Sequence, residues 1–297
     1  MIDKHDENNL PDFDSLWDYN HPEKTEIKFR ELLPAAKKSD NLQYFLQLLT
    51  QIARTQGLQR KFDDAHKTLD EAEGLMTGEM KKEKIRYLLE RGRTYNSSNF
   101  LDKAKPLFLK AWKLGLESGE DFYAIDAAHM MAIVESQDEA LNWNEKALEL
   151  AEKSQDDKAK KWLGALYNNI GWTYHDRGDY DKALDYFVKD FKWYSENNKH
   201  NEARIARWSI AKSMRSLNRI DEALGMQKSI LKEIEENNLE PDGFVYEEVG
   251  ECLLALKKAT ESQPYFKQAY ELLSKDIWLT SNEPARIERI KKLGNLS

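Results

Sequence analysis

A short pattern of apolar residue, Asp, any residue and Ala recurs along this chain. It reads Phe62-Asp63-Asp64-Ala65, Leu101-Asp102-Lys103-Ala104, Tyr180-Asp181-Lys182-Ala183 and Ile220-Asp221-Glu222-Ala223. Gln137-Asp138-Glu139-Ala140 lacks only the apolar residue, and Ala259-Thr260-Glu261-Ser262 is a degenerate sixth copy. Twelve residues before each Ala, or before Ser262, stands Gly or Ala: Ala53, Gly92, Ala128, Gly171, Ala211 and Gly250. Successive copies are 39, 36, 43, 40 and 39 residues apart. A fixed internal spacing inside a variable period marks one supersecondary unit repeated, with insertions confined to its outer turns.

The unit reads as two antiparallel helices. A small residue in the first lets the second approach closely, and the Ala of the motif is expected to meet it. The Asp or Thr before that Ala lies at the start of the second helix, where a carboxylate or hydroxyl can cap free N–H groups and complement the helix dipole. Turn signals separate the units: Thr77-Gly78, Ser118-Gly119, Ser154 to Asp157, Asn197-Asn198, and Asn237-Asn238 followed by Pro241-Asp242-Gly243. Only 13 glycines and 7 prolines in 297 residues also disfavour a turn-rich all-β fold.

At these residues the chain resembles the tetratricopeptide repeat family. Its best copy, residues 164–197, reads Tyr167-x2-Ile170-Gly171-x2-Tyr174-x3-Gly178-x-Tyr180-x2-Ala183-x3-Phe187. Asp190 stands where that family usually has a second Ala, a residue that Ala72, Ala111, Ala147 and Ala269 supply in other copies. The period of about 40 is longer than the usual ~34, as in kinesin light chains and bacterial peptide sensors. The resemblance covers roughly residues 46–276. It implies an all-α, right-handed superhelical solenoid of about six hairpins, starting near residues 46, 85, 121, 164, 204 and 243.

A capping helix is expected at each end, where an open stack needs a polar outer face. The first falls in residues 21–45, amphipathic from Pro22 to Lys38 and interrupted near Pro34. The second falls in residues 277–297, with Ile277, Leu279, Ile287, Ile290 and Leu293 at helical spacing. Residues 1–20 read as an acidic, solvated tail: residues 1–25 hold seven acids and two lysines, −5 of the net charge of −8.

Catalytic motifs are absent from the sequence, which has no phosphate-binding glycine loop, dinucleotide fingerprint, nucleophile elbow or H-E-x-x-H. None of the six histidines is paired at i, i+3 or i, i+4, so no helical metal site is expected. The single cysteine, Cys252, follows Gly250 on a helix and reads as buried and inert. An enzyme, a cofactor and a metal are therefore not expected. The acidic balance argues against nucleic acid. No run approaches the ~18 apolar residues of a membrane span, and MIDKHDENNL is polar where a secretory signal is apolar. The expected location is the cytoplasm.

Numbering each repeat from its first residue, positions 4, 7, 8 and 11 form the packed stripe of the first helix, and 2, 5, 9 and 12 the adjoining one. The resemblance implies that the second stripe lines a concave, ligand-binding groove. Position 9 holds Arg54, Arg93, His129, Trp172, Lys212 and Glu251. With Arg86 at position 2 and His175 and Arg215 at position 12, the first five copies present five basic side chains, two histidines and no acid. Asn168 and Trp208 occupy position 5. Trp112, Trp143, Trp162 and Trp193 read as packing residues.

The expected site is thus Arg54, Arg93, His129, Asn168, Trp172, His175, Trp208, Lys212 and Arg215. The cations would attract an acidic segment or a terminal carboxylate of a protein partner, Asn168 would bond its backbone, and the tryptophans would anchor it. The Lys/Asn/Asn/Lys/Arg clamp of chaperone-binding members of the family does not map onto consecutive copies. A peptide-sensing regulator is the alternative, weakened because only about 45 residues precede the first repeat. Self-association through the end repeats stays open.

Overall fold

The computed structural model describes residues 10–296. Residues 1–9, which include the start of the expected acidic tail, lie outside the described residues. All regular structure among the described residues is helical, and the chain divides between Trp162 and Leu163 into two compact units.

The first unit opens with a 3-10 turn, Phe13–Leu16, and helix α1, Pro22–Lys38. Three hairpins follow: α2 (Leu42–Leu58) with α3 (Phe62–Leu75), α4 (Lys81–Ser97) with α5 (Leu101–Ser118), and α6 (Asp121–Val134) with α7 (Gln137–Lys153). A short helix, α8 (Asp157–Lys160), ends the unit. The second unit holds three more hairpins: α9 (Leu163–Asp176) with α10 (Tyr180–Glu196), α11 (His200–Ser216) with α12 (Ile220–Glu236), and α13 (Gly243–Ala255) with α14 (Ala259–Leu273). It closes with α15 (Ile277–Asn282) and α16 (Pro284–Leu293).

The tight hairpin turns have one geometry in five of the six cases described. Arg60, Asn99, Gly178, Asn218 and Lys257 each adopt φ between 60° and 78°. The next residue's N–H reaches back five residues to the first helix, as from Lys61 to the Gln56 carbonyl and from Asp179 to Tyr174. This left-handed stop ends one helix and starts the next within four residues, which holds the twelve-residue spacing constant. The motif aspartates are not the N-caps. Asp63, Asp102 and Asp181 sit second in their helices, so they complement the dipole, while capping side chains come from residues outside the motif such as Asp179, which accepts from the Lys182 N–H.

Where the small residue of the first helix is Gly, what lies nearest to it is an aromatic ring one turn beyond the motif Ala. A Cβ on Gly171 would lie 2.6 Å from the ring of Phe187, and one on Gly250 would lie 2.8 Å from Phe266. Gly92 faces Phe108 in the same way. Wherever the first helix has Gly, the second offers Phe, four residues beyond the motif Ala. Where it has Ala (Ala53, Ala128, Ala211), the same register holds the smaller Leu69, Asn144 and Gln227. Side-chain volume is therefore conserved across each hairpin, which a close-packed interior demands.

The ends differ from expectation. Helix α1 runs unbroken through Pro34, since Phe29 and Ala36 on either side are buried against the first hairpin and offset the lost hydrogen bond. Residues 12–19 are not a solvated tail: Phe13 is buried against Phe29 and Tyr44, and the Trp17 indole N–H donates to Gln51 Oε1 at 3.0 Å. At the other end, Pro284 splits the expected single helix into α15 and α16, because a proline drives the residue before it out of helical geometry. Leu279, Ile287 and Ile290 pack on Phe266 and Leu273. Ile277 is left exposed.

Candidate functional site

In the first unit the expected groove residues Arg54, Arg93 and His129 lie on α2, α4 and α6. Successive first helices pack side by side, α2 on α4 and α4 on α6, which places each cation beside the next repeat's sixth position. Arg54 Nε lies 3.8 Å from Glu90 Oε2. Arg93 bonds Glu90 Oε1 at 2.7 Å on one side and Asp126 on the other. Arg93 is nearly enclosed, yet burial is outweighed by these two carboxylates and it stays charged. Arg86 donates to both oxygens of Asp14, at 3.1 and 3.4 Å, and from Nη1 also to the Tyr123 hydroxyl oxygen at 2.8 Å. His129 packs on the Trp162 ring, and burial lowers its pKa, so it is neutral at pH 7.

Arg54, Arg86, Glu90, Arg93 and Asp126 floor a recess of about 560 Å³, whose lining does not include His129. The walls come mostly from outside the repeat pattern, Phe122 of α6 being the exception. On one side Trp17 and Tyr19 stack face to face, 4.6 Å apart and 5° from parallel. On the other stand Phe122 and Trp162, whose indole N–H has no partner among the described residues. Lys158 and Lys161 reach the rim from α8 and its C-cap. Trp162 is therefore a lining residue as well as a packing one.

The second unit shows the same pairing rule. Lys212 Nζ lies 3.0 Å from Glu248 Oε1, and Arg215 grips both oxygens of Glu248 at 2.8 and 3.0 Å. Burial opposes the charge on Glu248, but Arg215 and Lys212 outweigh it and hold its pKa below the usual carboxylate range. Trp172, Trp208 and His175 come together: the two indoles are 5.7 Å apart, and His175 is 5.2 Å from Trp172. Asn168, expected to bond a ligand backbone, accepts from Trp172 Nε1 at 3.2 Å, and Trp208 Nε1 donates to the Phe244 carbonyl at 3.1 Å. Burial, aided by Lys212, lowers the His175 pKa.

The basic stripe of the sequence is thus largely neutralised by acids that a single-stripe reading leaves out. Glu90, Asp126 and Glu248 all occupy position 6, and tabulating that column would have revealed them. Asp14, Trp17 and Tyr19 carry no periodic signal at all. Cys252 is fully buried, and burial first and then Glu248 push its thiol up to about 12, so it holds no thiolate.

The sequence profile of the tetratricopeptide repeat matches residues 123–189. That stretch carries tetratricopeptide repeats. No curated protein matches it in sequence. Among solved structures, RapI in its apo form aligns with 95% of this chain and 80% of its own, at TM-score 0.72 and 13% identity. Nearly identical kinesin light chain TPR-like repeats from Podosopora anserina align with 64% of this chain and 95% of their own, at TM-score 0.54 and 14% identity. NprR in complex with its cognate peptide NprX aligns with 94% and 82%, at TM-score 0.53 and 14% identity. At such identities the likeness is one of fold, and tetratricopeptide repeats are a protein-interaction fold.

Proposed function

We propose that this protein is a non-enzymatic interaction module that holds a peptide segment of a partner protein against the groove faces of its first helices. The observation that carries this reading is the recess of the first unit, where aromatic walls flank a floor of charges already paired with one another. Such a site offers apolar contact and orientation without a large charge to desolvate, the usual make-up of a ligand pocket. In the first unit the contacts assigned to the partner are Arg54, Arg93 and His129. In the second they are Asn168, Trp172, His175, Trp208, Lys212 and Arg215, with the tryptophans as anchors. The partner is a protein with an acidic segment or free C-terminal carboxylate, met in the cytoplasm. The net charge of −8 speaks against nucleic acid, and no helix among the described residues is long and apolar enough to cross a membrane. The likeness to RapI and to peptide-bound NprR supports a second reading, a regulator whose conformation responds to a short peptide.

A photo-crosslinking phenylalanine analogue at Tyr19 or Trp172, compared with one at exposed Val188 on α10, tests the proposal in the host cell. A protein captured at Tyr19 or Trp172 and not at Val188 supports groove binding. Capture from Val188 alone moves the interface to another face.

A further inference from the structure

The charge balance of the first-unit recess identifies which of its residues select the ligand. Arg54 and Arg93 are matched by Glu90 and Asp126, Arg86 by Asp14, and Lys82 by Glu120 at 3.1 Å. Lys158 and Lys161 are different: both are exposed, neither forms an ion pair among the described residues, and the one lining acid left to set against them is Asp156, whose carboxylate accepts from the Lys158 backbone N–H. They belong to the stretch that makes the third copy's spacing the longest, at 43 residues. The extra residues fold as α8, which is fixed in place. Its Ala159 is fully buried, Asp156 caps it through the Lys158 N–H at 2.9 Å, and Ser154 just before it donates to Asp121 at 2.6 Å. The opposite wall is equally fixed, since Phe13 is in the core and Asp14 is clamped by the buried Arg86. Tyr19 is 64% exposed, lying flat on Trp17.

We propose that the recess selects an acidic peptide segment carrying one large apolar side chain, and that selectivity resides in the two elements outside the repeat pattern. Lys158 and Lys161 meet the carboxylates, while Tyr19 and Trp162 flank the apolar side chain. The repeat cations, held by their acids, shape the floor and contribute little net attraction. The inference rests on the groove reading above and replaces its general charge attraction with two named lysines.

The test measures fluorescence polarisation of labelled peptides with the full chain. The probes are Glu-Glu-Phe-Glu-Glu as amide and as free acid, with Glu-Glu-Ala-Glu-Glu and Lys-Lys-Phe-Lys-Lys as amides. The Phe-containing acidic peptides are expected to bind at least tenfold tighter than the other two. Lys158→Glu with Lys161→Glu, both at exposed positions, weakens them at least tenfold and flattens their salt dependence. Tyr19→Ala weakens the Phe peptide and spares the Ala peptide. Equal binding of amide and free acid assigns the attraction to side-chain carboxylates, and a tenfold preference for the free acid assigns it to a chain terminus. Binding of the basic peptide as tight as the acidic, charge reversal that leaves affinity within twofold, or no binding of any probe at 1 mM overturns the inference. A partner that still crosslinks at Tyr19 or Trp172 in those cases leaves the groove reading standing, whereas loss of that crosslink removes both.

Discussion

Gly171→Ala isolates the volume rule that joins the two helices of a hairpin. In the middle of a helix, Ala in place of Gly ordinarily gains about 1 kcal/mol. Here the new methyl would lie 2.6, 2.8 and 3.1 Å from three ring atoms of Phe187, a side chain with no exposed surface into which to retreat. Overpacking of that kind costs about 1–3 kcal/mol, so the net change is a loss of up to about 2 kcal/mol. Gly225 on α12 supplies the control within the same unit, because a Cβ there meets nothing within 4 Å. Gly225→Ala is expected to gain up to about 1 kcal/mol. Phe187→Leu alone should cost about 1 kcal/mol or more through the space it leaves. Combined with Gly171→Ala it recreates the Ala53–Leu69 pairing already present in the first hairpin, so the double variant should lose at least about 1 kcal/mol less than the sum of the singles. Urea unfolding followed by far-ultraviolet circular dichroism gives the midpoints, compared at constant slope. Gly171→Ala as well tolerated as Gly225→Ala, or strict additivity in the double variant, refutes the reasoning.

Asp190 is 2% exposed, its Oδ1 has no partner among the described residues, and burial alone raises its pKa to about 7 from the ordinary 3.8 of an aspartate. Because the folded-state pKa is the higher one, this group's contribution to stability is fullest below about pH 4, falls between pH 4 and 7, and levels off above. The difference, 7 − 3.8, corresponds to a penalty on the order of 4 kcal/mol. Asp190→Ala should therefore stabilise the protein by a few kcal/mol at pH 8 and much less near pH 4, and a stability difference that is flat with pH disproves this. Glu248→Ala leaves Lys212 and Arg215 without their shared carboxylate and should cost about 2–4 kcal/mol, while Glu222→Ala, which removes an exposed partner of Arg219, should leave the urea midpoint almost unmoved. Asp14→Ala uncovers the buried Arg86 guanidinium and should cost about 1–3 kcal/mol. Hydrogen exchange of residues 12–19 should then quicken, and unchanged exchange there would mean that Phe13 alone holds the segment.

Much of the fold was legible because a hairpin is a local object. Its turn lies within four residues, its two helices carry matched small and large residues twenty or fewer positions apart, and both facts recur six times in the sequence. Even the Gly–Phe and Ala–Leu compensation can be read from the column four residues beyond the motif Ala, once that column is tabulated. The Pro284 break was also written in the sequence, though the apolar spacing around it pointed to one continuous helix. The candidate site was legible in its positions and not in its charge. Arg54, Arg93, Lys212 and Arg215 stand where the stripe places them, but Glu90, Asp126 and Glu248 come from neighbouring repeats 33 to 36 residues away and cancel much of their field. What tertiary structure alone decided is the enclosure of the recess. Asp14 reaches Arg86 across 72 residues and Trp17 reaches Gln51 across 34. No periodicity records such contacts, because they join a segment that occurs once to a surface that the repeats make only by packing side by side.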